Sequence, residues 1–301
     1  MSDFKIIKGI DVTPSILSSS VPITETQWTS GTYGVGAERY VLPSYDLYRS
    51  AIASNTDAPV AGAAKDPQTW VKIGKVNRWK MFSESIGEKT VSDDPVTISI
   101  DVPPTTNSIA FFGVTGVDII RVKTFTGSTE TGEFILALTN STAIDNYYDW
   151  FFAPFEEAEE TVNFDLPGYG TDRIEITIDS DQTIAIGSLV LGEQFVIGRT
   201  LINVRTGIED FSLKERDEWG GFVITERGFS KTMDLPILVD SSRIWAVTRA
   251  LANVRAKSTV FVGSEAHPET ITLGFYKSFE VLRQTTEHAE MNIEVEGIDQ
   301  R

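Results

Sequence analysis

The chain has 301 residues, with 26 basic against 43 acidic side chains for a formal charge of −17, and no cysteine. The length suits about two domains, each able to bury its own core, and 41% hydrophobic with 23% charged residues is the composition of a chain that folds. Zero cysteine excludes disulfide scaffolds, thiolate metal sites and thiol nucleophiles. The acid surplus without any Lys/Arg cluster argues against adhesion to a nucleic-acid backbone or an anionic membrane.

Met1 to Ile7 lacks the basic and then apolar run of a signal peptide. No window approaches the ~20 apolar residues of a membrane helix, so no membrane span is expected. Residues 1–75 are rich in Ser, Thr, Gly, Pro and Ala with scattered aromatics, which predicts an extended arm followed by a small, loop-rich module. Trp28, Tyr33, Tyr48 and Trp70 are its candidate carbohydrate-binding residues, because the apolar face of a pyranose stacks on an exposed ring. A module this small cannot expose them all, and Trp28, Tyr48 and Trp70 equally suit its miniature core.

Over residues 76–200 the hydrophobic period is two. Val96 to Val102 and Arg173 to Ile178 alternate apolar with polar, and further β-type runs occur at 108–112, 118–125, 133–138 and 189–197. Turns such as Thr126-Gly127-Ser128 separate them, which predicts a central antiparallel β-sandwich of lectin-like or jelly-roll-like type. Two segments here invite other readings. Asn146 to Phe152 reads as a core-covering strand or a ligand platform, and Glu156 to Glu160 as a solvated loop, with adjacent carboxylates forming no defined catalytic pair.

Residues 201–301 predict an α+β domain with one helix on an antiparallel sheet. Strands are expected at 222–226, 233–239, 271–279 and 291–296. Between them, Asp240-Ser241-Ser242 offers an N-cap, followed by Ile244, Val247, Leu251 and Val254 at helical spacing with Arg243, Arg249 and Arg255 opposite, about four turns in all. Ile208 to Asp234 reads as a long β-hairpin, whose tip residues Arg216, Asp217, Glu218 and Trp219 are candidates for assembly with a neighbouring subunit. An ordinary hairpin with Trp219 folded back on its own sheet fits the same residues.

The catalytic inventory is thin. Of the two histidines, His267 precedes Pro268 in a turn and His288 lies in an acidic polar stretch, so both read as solvated loop residues. No enzyme activity, cofactor or metal site is expected.

The order Trp28, Tyr33-Gly34-Val35-Gly36, Val41, Leu47-Tyr48-Arg49-Ser50, Pro67, Trp70 resembles the short chitin-binding-type carbohydrate modules of families 5 and 12. With Asn77 to Phe82, Gly207 to Gly220, Glu226 to Met233, Gly274 to Phe279 and the closing Glu294 to Gly297, the chain resembles tail-tip or baseplate proteins of long-tailed bacteriophages over roughly 28–297. The resemblance implies a structural protein of the virion tail, made in the bacterial host cytoplasm. Its partners would be copies of itself and other tail proteins, assembled as a ring or collar, with host-surface glycans as a further ligand and host adsorption by carbohydrate binding as the alternative function. Two departures stand in the sugar module: the acid after Tyr-x-x-Gly is shifted by one, to Glu38, and Asn55 to Ala64 is an Ala- and Pro-rich insertion.

Overall fold

The computed structural model describes residues 2–83, 86–138, 160–164, 166–167, 170–216, 219, 221–283 and 285–298. It is mainly β, built from antiparallel sheets, with one three-turn helix near the C-terminus. The expected runs become strands because their β-branched and aromatic residues alternate between a buried and a wetter face. Val96–Asp101 and Arg173–Ile178 bury every second residue.

Five strands form the sandwich's outer sheet, in the order Thr129–Ala137, Ile119–Thr126, Arg173–Ile178, Val96–Asp101, Leu17–Ser19. Its buried face carries Ile98, Ile100, Ile120, Val122, Ile174 and Ile176. They pack on Ile109, Phe111, Leu189 and Leu191 from one end of a nine-stranded sheet. Two antiparallel sheets therefore pack face to face as a β-sandwich. Asn146 to Phe152 and Glu156 to Glu159 lie outside the described residues.

The rest of the large sheet builds the C-terminal unit. Ser188–Thr200, Asp3–Gly9, Thr259–Val262, Ile271–Arg283, His288–Gly297 and Phe229–Asp240 pair in that order. Phe229–Asp240 then returns to the first strand through Arg199↔Leu238 and Thr200↔Ile237, which closes the six into a barrel. Closure needs the two backbones in close approach, and Gly198 supplies it: a Cβ there would lie 2.4 Å from the Leu238 carbonyl oxygen.

The helix, Ile244–Asn253, lays Ile244, Val247 and Leu251 on Phe4, Phe261, Met291 and Ile293 in one cluster. It is shorter than the pattern suggested. Ser241–Arg243 is a 3₁₀ turn and no side chain caps the start, so the serines open the helix without N-capping it.

Two boundaries differ from the expected division at 75 and 200. The first strand, Asp3–Gly9, belongs to the barrel, between Ser188–Thr200 and Thr259–Val262. Residue 200 ends a 13-residue strand that pairs with Ser108–Phe112 in the sandwich and with Asp3–Gly9 in the barrel. A long strand can serve two cores in succession, and a sequential division has no means of showing that.

The N-terminal module is a three-stranded sheet, Glu38–Val41, Asp46–Ser50 and Trp70–Lys75, with a short helix at Pro59–Ala63. Hydrogen bonds fasten it to the sandwich. The Asn77 amide donates to the Val91 carbonyl at 2.7 Å and accepts the Val91 N–H at 3.0 Å, while Arg78 Nε donates to the Val21 carbonyl at 2.6 Å.

Candidate functional site

Among the described residues, a cluster of exposed large apolar side chains lies on the predicted hairpin. Arg205–Asp210 forms the edge of the nine-stranded sheet and pairs with Phe229–Asp240. Beyond it, Leu213–Arg216 pairs with Phe222–Thr225 as a separate ribbon. Asp210 faces Phe229 and Leu213 faces Thr225, so three steps on one arm meet four on the other. This is a bulge, and the Phe211 N–H bonded to the Gly228 carbonyl spans it.

Every residue of Arg205–Asp210 and of both ribbon strands is exposed. The exposed side chains include Ile208, Phe222, Val223 and Ile224, and Trp219 at the tip is 93% exposed. Because alternate strand residues point to opposite faces, Phe222 and Ile224 load one face of the ribbon and Val223 the other. An isolated two-stranded ribbon is marginal in water. Arg216 over the Phe222 ring at 4.7 Å and the Lys214–Asp210 ion pair at 2.7 Å brace it without covering these side chains. The reading with Trp219 folded back on its own sheet does not fit that exposure. Asp217 and Glu218 lie outside the described residues; Arg216 is exposed.

The four candidate rings of the N-terminal module separate into two pairs. Trp70 is 0% and Tyr48 6% exposed, and burial pushes the Tyr48 phenol pKa up. Trp70 Nε1 donates to the Asp57 carbonyl at 2.9 Å. Both are core residues of the module. Tyr33 is half-buried and meets Trp70 edge-on at 5.5 Å, with the Arg39 guanidinium 5.0 Å from its ring centre. Trp28 is half-buried too. No four-ring sugar platform is assembled.

The module does contain an aromatic column that the sequence did not reveal. Tyr40 stacks on Tyr45 at 5.8 Å and Tyr45 on Trp79 at 5.0 Å, with Phe82 tilted against Trp79. Tyr45 has φ = 56°, a left-handed conformation unfavourable to a bulky residue. Its N–H donates to the Val41 carbonyl at 2.9 Å and its carbonyl accepts the Val76 N–H at 3.1 Å, so backbone hydrogen bonds anchor both sides of this turn.

Polar chemistry elsewhere is sparse. His267 lies 3.4 Å from Glu269 and His288 3.3 Å from Asp240, all on the surface. Among the described residues no group of three or more His, Asp or Glu is placed to hold a metal ion, and no helix is long and apolar enough to cross a membrane.

The hairpin's apolar character had a sequence signal. Phe222-Val223-Ile224 is a run of three apolar residues, and in a two-stranded ribbon such a run must leave one face uncovered. No protein-family model, curated protein or solved structure matches the chain.

Proposed function

We propose that the chain is a structural component of a bacteriophage tail tip or baseplate that assembles with copies of itself into a ring or collar, the 205–234 hairpin reaching onto a neighbouring subunit. The observation that carries this reading is the ribbon exposed on both faces. Burying a Phe, Val or Ile side chain is worth about 1.5–3 kcal/mol. The four exposed on the hairpin, Ile208, Phe222, Val223 and Ile224, together supply about 6–12 kcal/mol, the same order as the ~4–15 kcal/mol that association costs in lost freedom. A surface of that kind on a protein otherwise well packed is an interaction surface. The phage assignment itself rests on the ordered sequence resemblance.

Host-glycan binding is the lesser part of the proposal. Its candidate rings reduce to Trp28 and Tyr33, and Arg39 already lies over the latter.

The test is the double substitution Phe222→Asp/Ile224→Asp, which charges one face of the ribbon and leaves the buried cores alone. Light scattering coupled to gel filtration should show an assembled wild type and a variant shifted to monomer with an unchanged melting temperature. A variant that assembles as the wild type does would refute the role of the hairpin.

A further inference from the structure

The chain separates its charge. From Ser241 to Ser264 it carries Arg243, Arg249, Arg255 and Lys257 and no acidic residue, so this stretch is +4 and the remainder of the −17 chain is −21. All four cations are exposed, Arg243 just before the helix, Arg249 on it and Arg255 and Lys257 just after it, and none is ion-paired with a described carboxylate. Trp245, 72% exposed, stands among them with the Arg249 guanidinium 5.3 Å from its ring centre. Arg243 is steered by a hydrogen bond from Nη2 to the Val196 carbonyl at 2.8 Å. The helix buries Ile244, Val247 and Leu251 beneath this surface, so the basic, aromatic face is rigidly presented.

The opposite sign is concentrated at one end of the sandwich. Val96 pairs with Ile178 and Ile178 with Ile120, so the loops that meet these three adjacent strand ends lie together. They carry Asp93, Asp94, Asp118, Asp179 and Asp181, all exposed and none ion-paired with a described cation. Asp93 accepts a hydrogen bond from Thr183 Oγ1 at 2.8 Å, which ties two of the loops together.

We propose that the helix face of one copy docks on the aspartate pole of the next, so that the two form a head-to-tail contact within the assembly. This rests on the self-assembly reading above and names a second contact for it. Charge complementarity is the argument: each copy carries both patches, neither is ion-paired among the described residues of its own chain, and a heterologous contact of this kind propagates round a closed ring. Trp245 supplies a large apolar anchor at the centre of a charged rim, while the charges steer approach and fix orientation.

The experiment uses two full-length variants with surface substitutions only, Arg243→Glu/Arg249→Glu and Asp179→Lys/Asp181→Lys, with melting temperature as a check on folding. Alone, each sets like charges against each other, and its self-association should weaken about tenfold or more, as expected for losing complementary charged contacts. Mixed in equal amounts, every interface can pair Glu with Lys or Arg with Asp, and association should return to within about threefold of the wild type. Either variant assembling alone like the wild type would overturn the inference, as would a mixture no better than its parts. Arginine variants that lose affinity for duplex DNA while assembling normally would also overturn it, in favour of a nucleic-acid face. A wild type that is itself monomeric would instead defeat the underlying assembly reading. Loss of assembly in Phe222→Asp/Ile224→Asp with the charge variants unaffected would leave that reading standing and this inference refuted.

Discussion

Asn55 illustrates how much of the N-terminal module depends on single polar groups. Its side chain is fully buried, yet Nδ2 donates to Ser50 Oγ and the Thr69 carbonyl and Oδ1 accepts the Asp57 N–H, while its backbone exchanges two hydrogen bonds with Tyr33. Asn55→Ala would strand those partners in a module with little core to spare. A loss of about 1–3 kcal/mol in denaturant unfolding of the module is expected, and an unchanged midpoint would contradict the role assigned here. Beside it, hydrogen bonds from Lys65 and then Thr69 hold the Asp57 carboxyl below its usual range. A carboxyl with a lowered folded pKa contributes stability above its unfolded value of about 4 and loses it as the pH falls through the folded value. Wild-type stability should therefore drop over that acid range more than that of Asp57→Asn, and parallel pH profiles would count against the contact. Of the residues named here the sequence marked Tyr33, as a candidate sugar-binding ring, alongside Trp28, Tyr48 and Trp70, which were rings with two open fates. Asn55 and the Tyr40–Tyr45–Trp79 column were invisible in it, because neither periodicity nor composition shows which polar side chain will be enclosed or which rings will stack.

The elements themselves were more legible. Strict alternation marks strands whenever one face is buried, and Val96–Asp101 and Arg173–Ile178 lie where that pattern puts them, whereas His288–Gly297 starts three residues before the expected 291 and takes His288, read as a loop residue, into the strand. The helix was readable from Ile244, Val247 and Leu251, since a 3.6-residue period stands out in a chain of period two. Pairing between distant strands was not. Nothing local announces that Asp3–Gly9 fits between Ser188–Thr200 and Thr259–Val262, because antiparallel partners are chosen by the whole barrel. Gly198, by contrast, has a local consequence that can be tested. Valine there would place a branched side chain against the Leu238 carbonyl oxygen, where even a Cβ comes within 2.4 Å. Gly198→Val should cost about 1–3 kcal/mol of stability through overpacking, visible as a lower melting temperature. A variant as stable as the wild type would mean that barrel closure at Arg199↔Leu238 does not need the glycine.

At the scale of the whole molecule, three features point the same way. The hydrophobic cores contain no side chain of the Leu213–Arg216/Phe222–Thr225 ribbon, which projects beyond an edge strand with apolar side chains on both faces. The basic helix face and the aspartate pole form no ion pair among the described residues of the chain that carries them. The strong negative charge, which at first only argues against polyanion binding, is thus unevenly spread, and the basic helix face stands out against it. A self-assembling part explains all three, whereas a monomer would expose them to no purpose. The central claim is that this chain forms a closed ring with its own copies. Native mass spectrometry of the wild-type protein, in a volatile buffer of low ionic strength, tests it most directly. One dominant species at three or more times the 33.2 kDa chain mass is expected; a single monomer peak at micromolar concentration would contradict ring assembly.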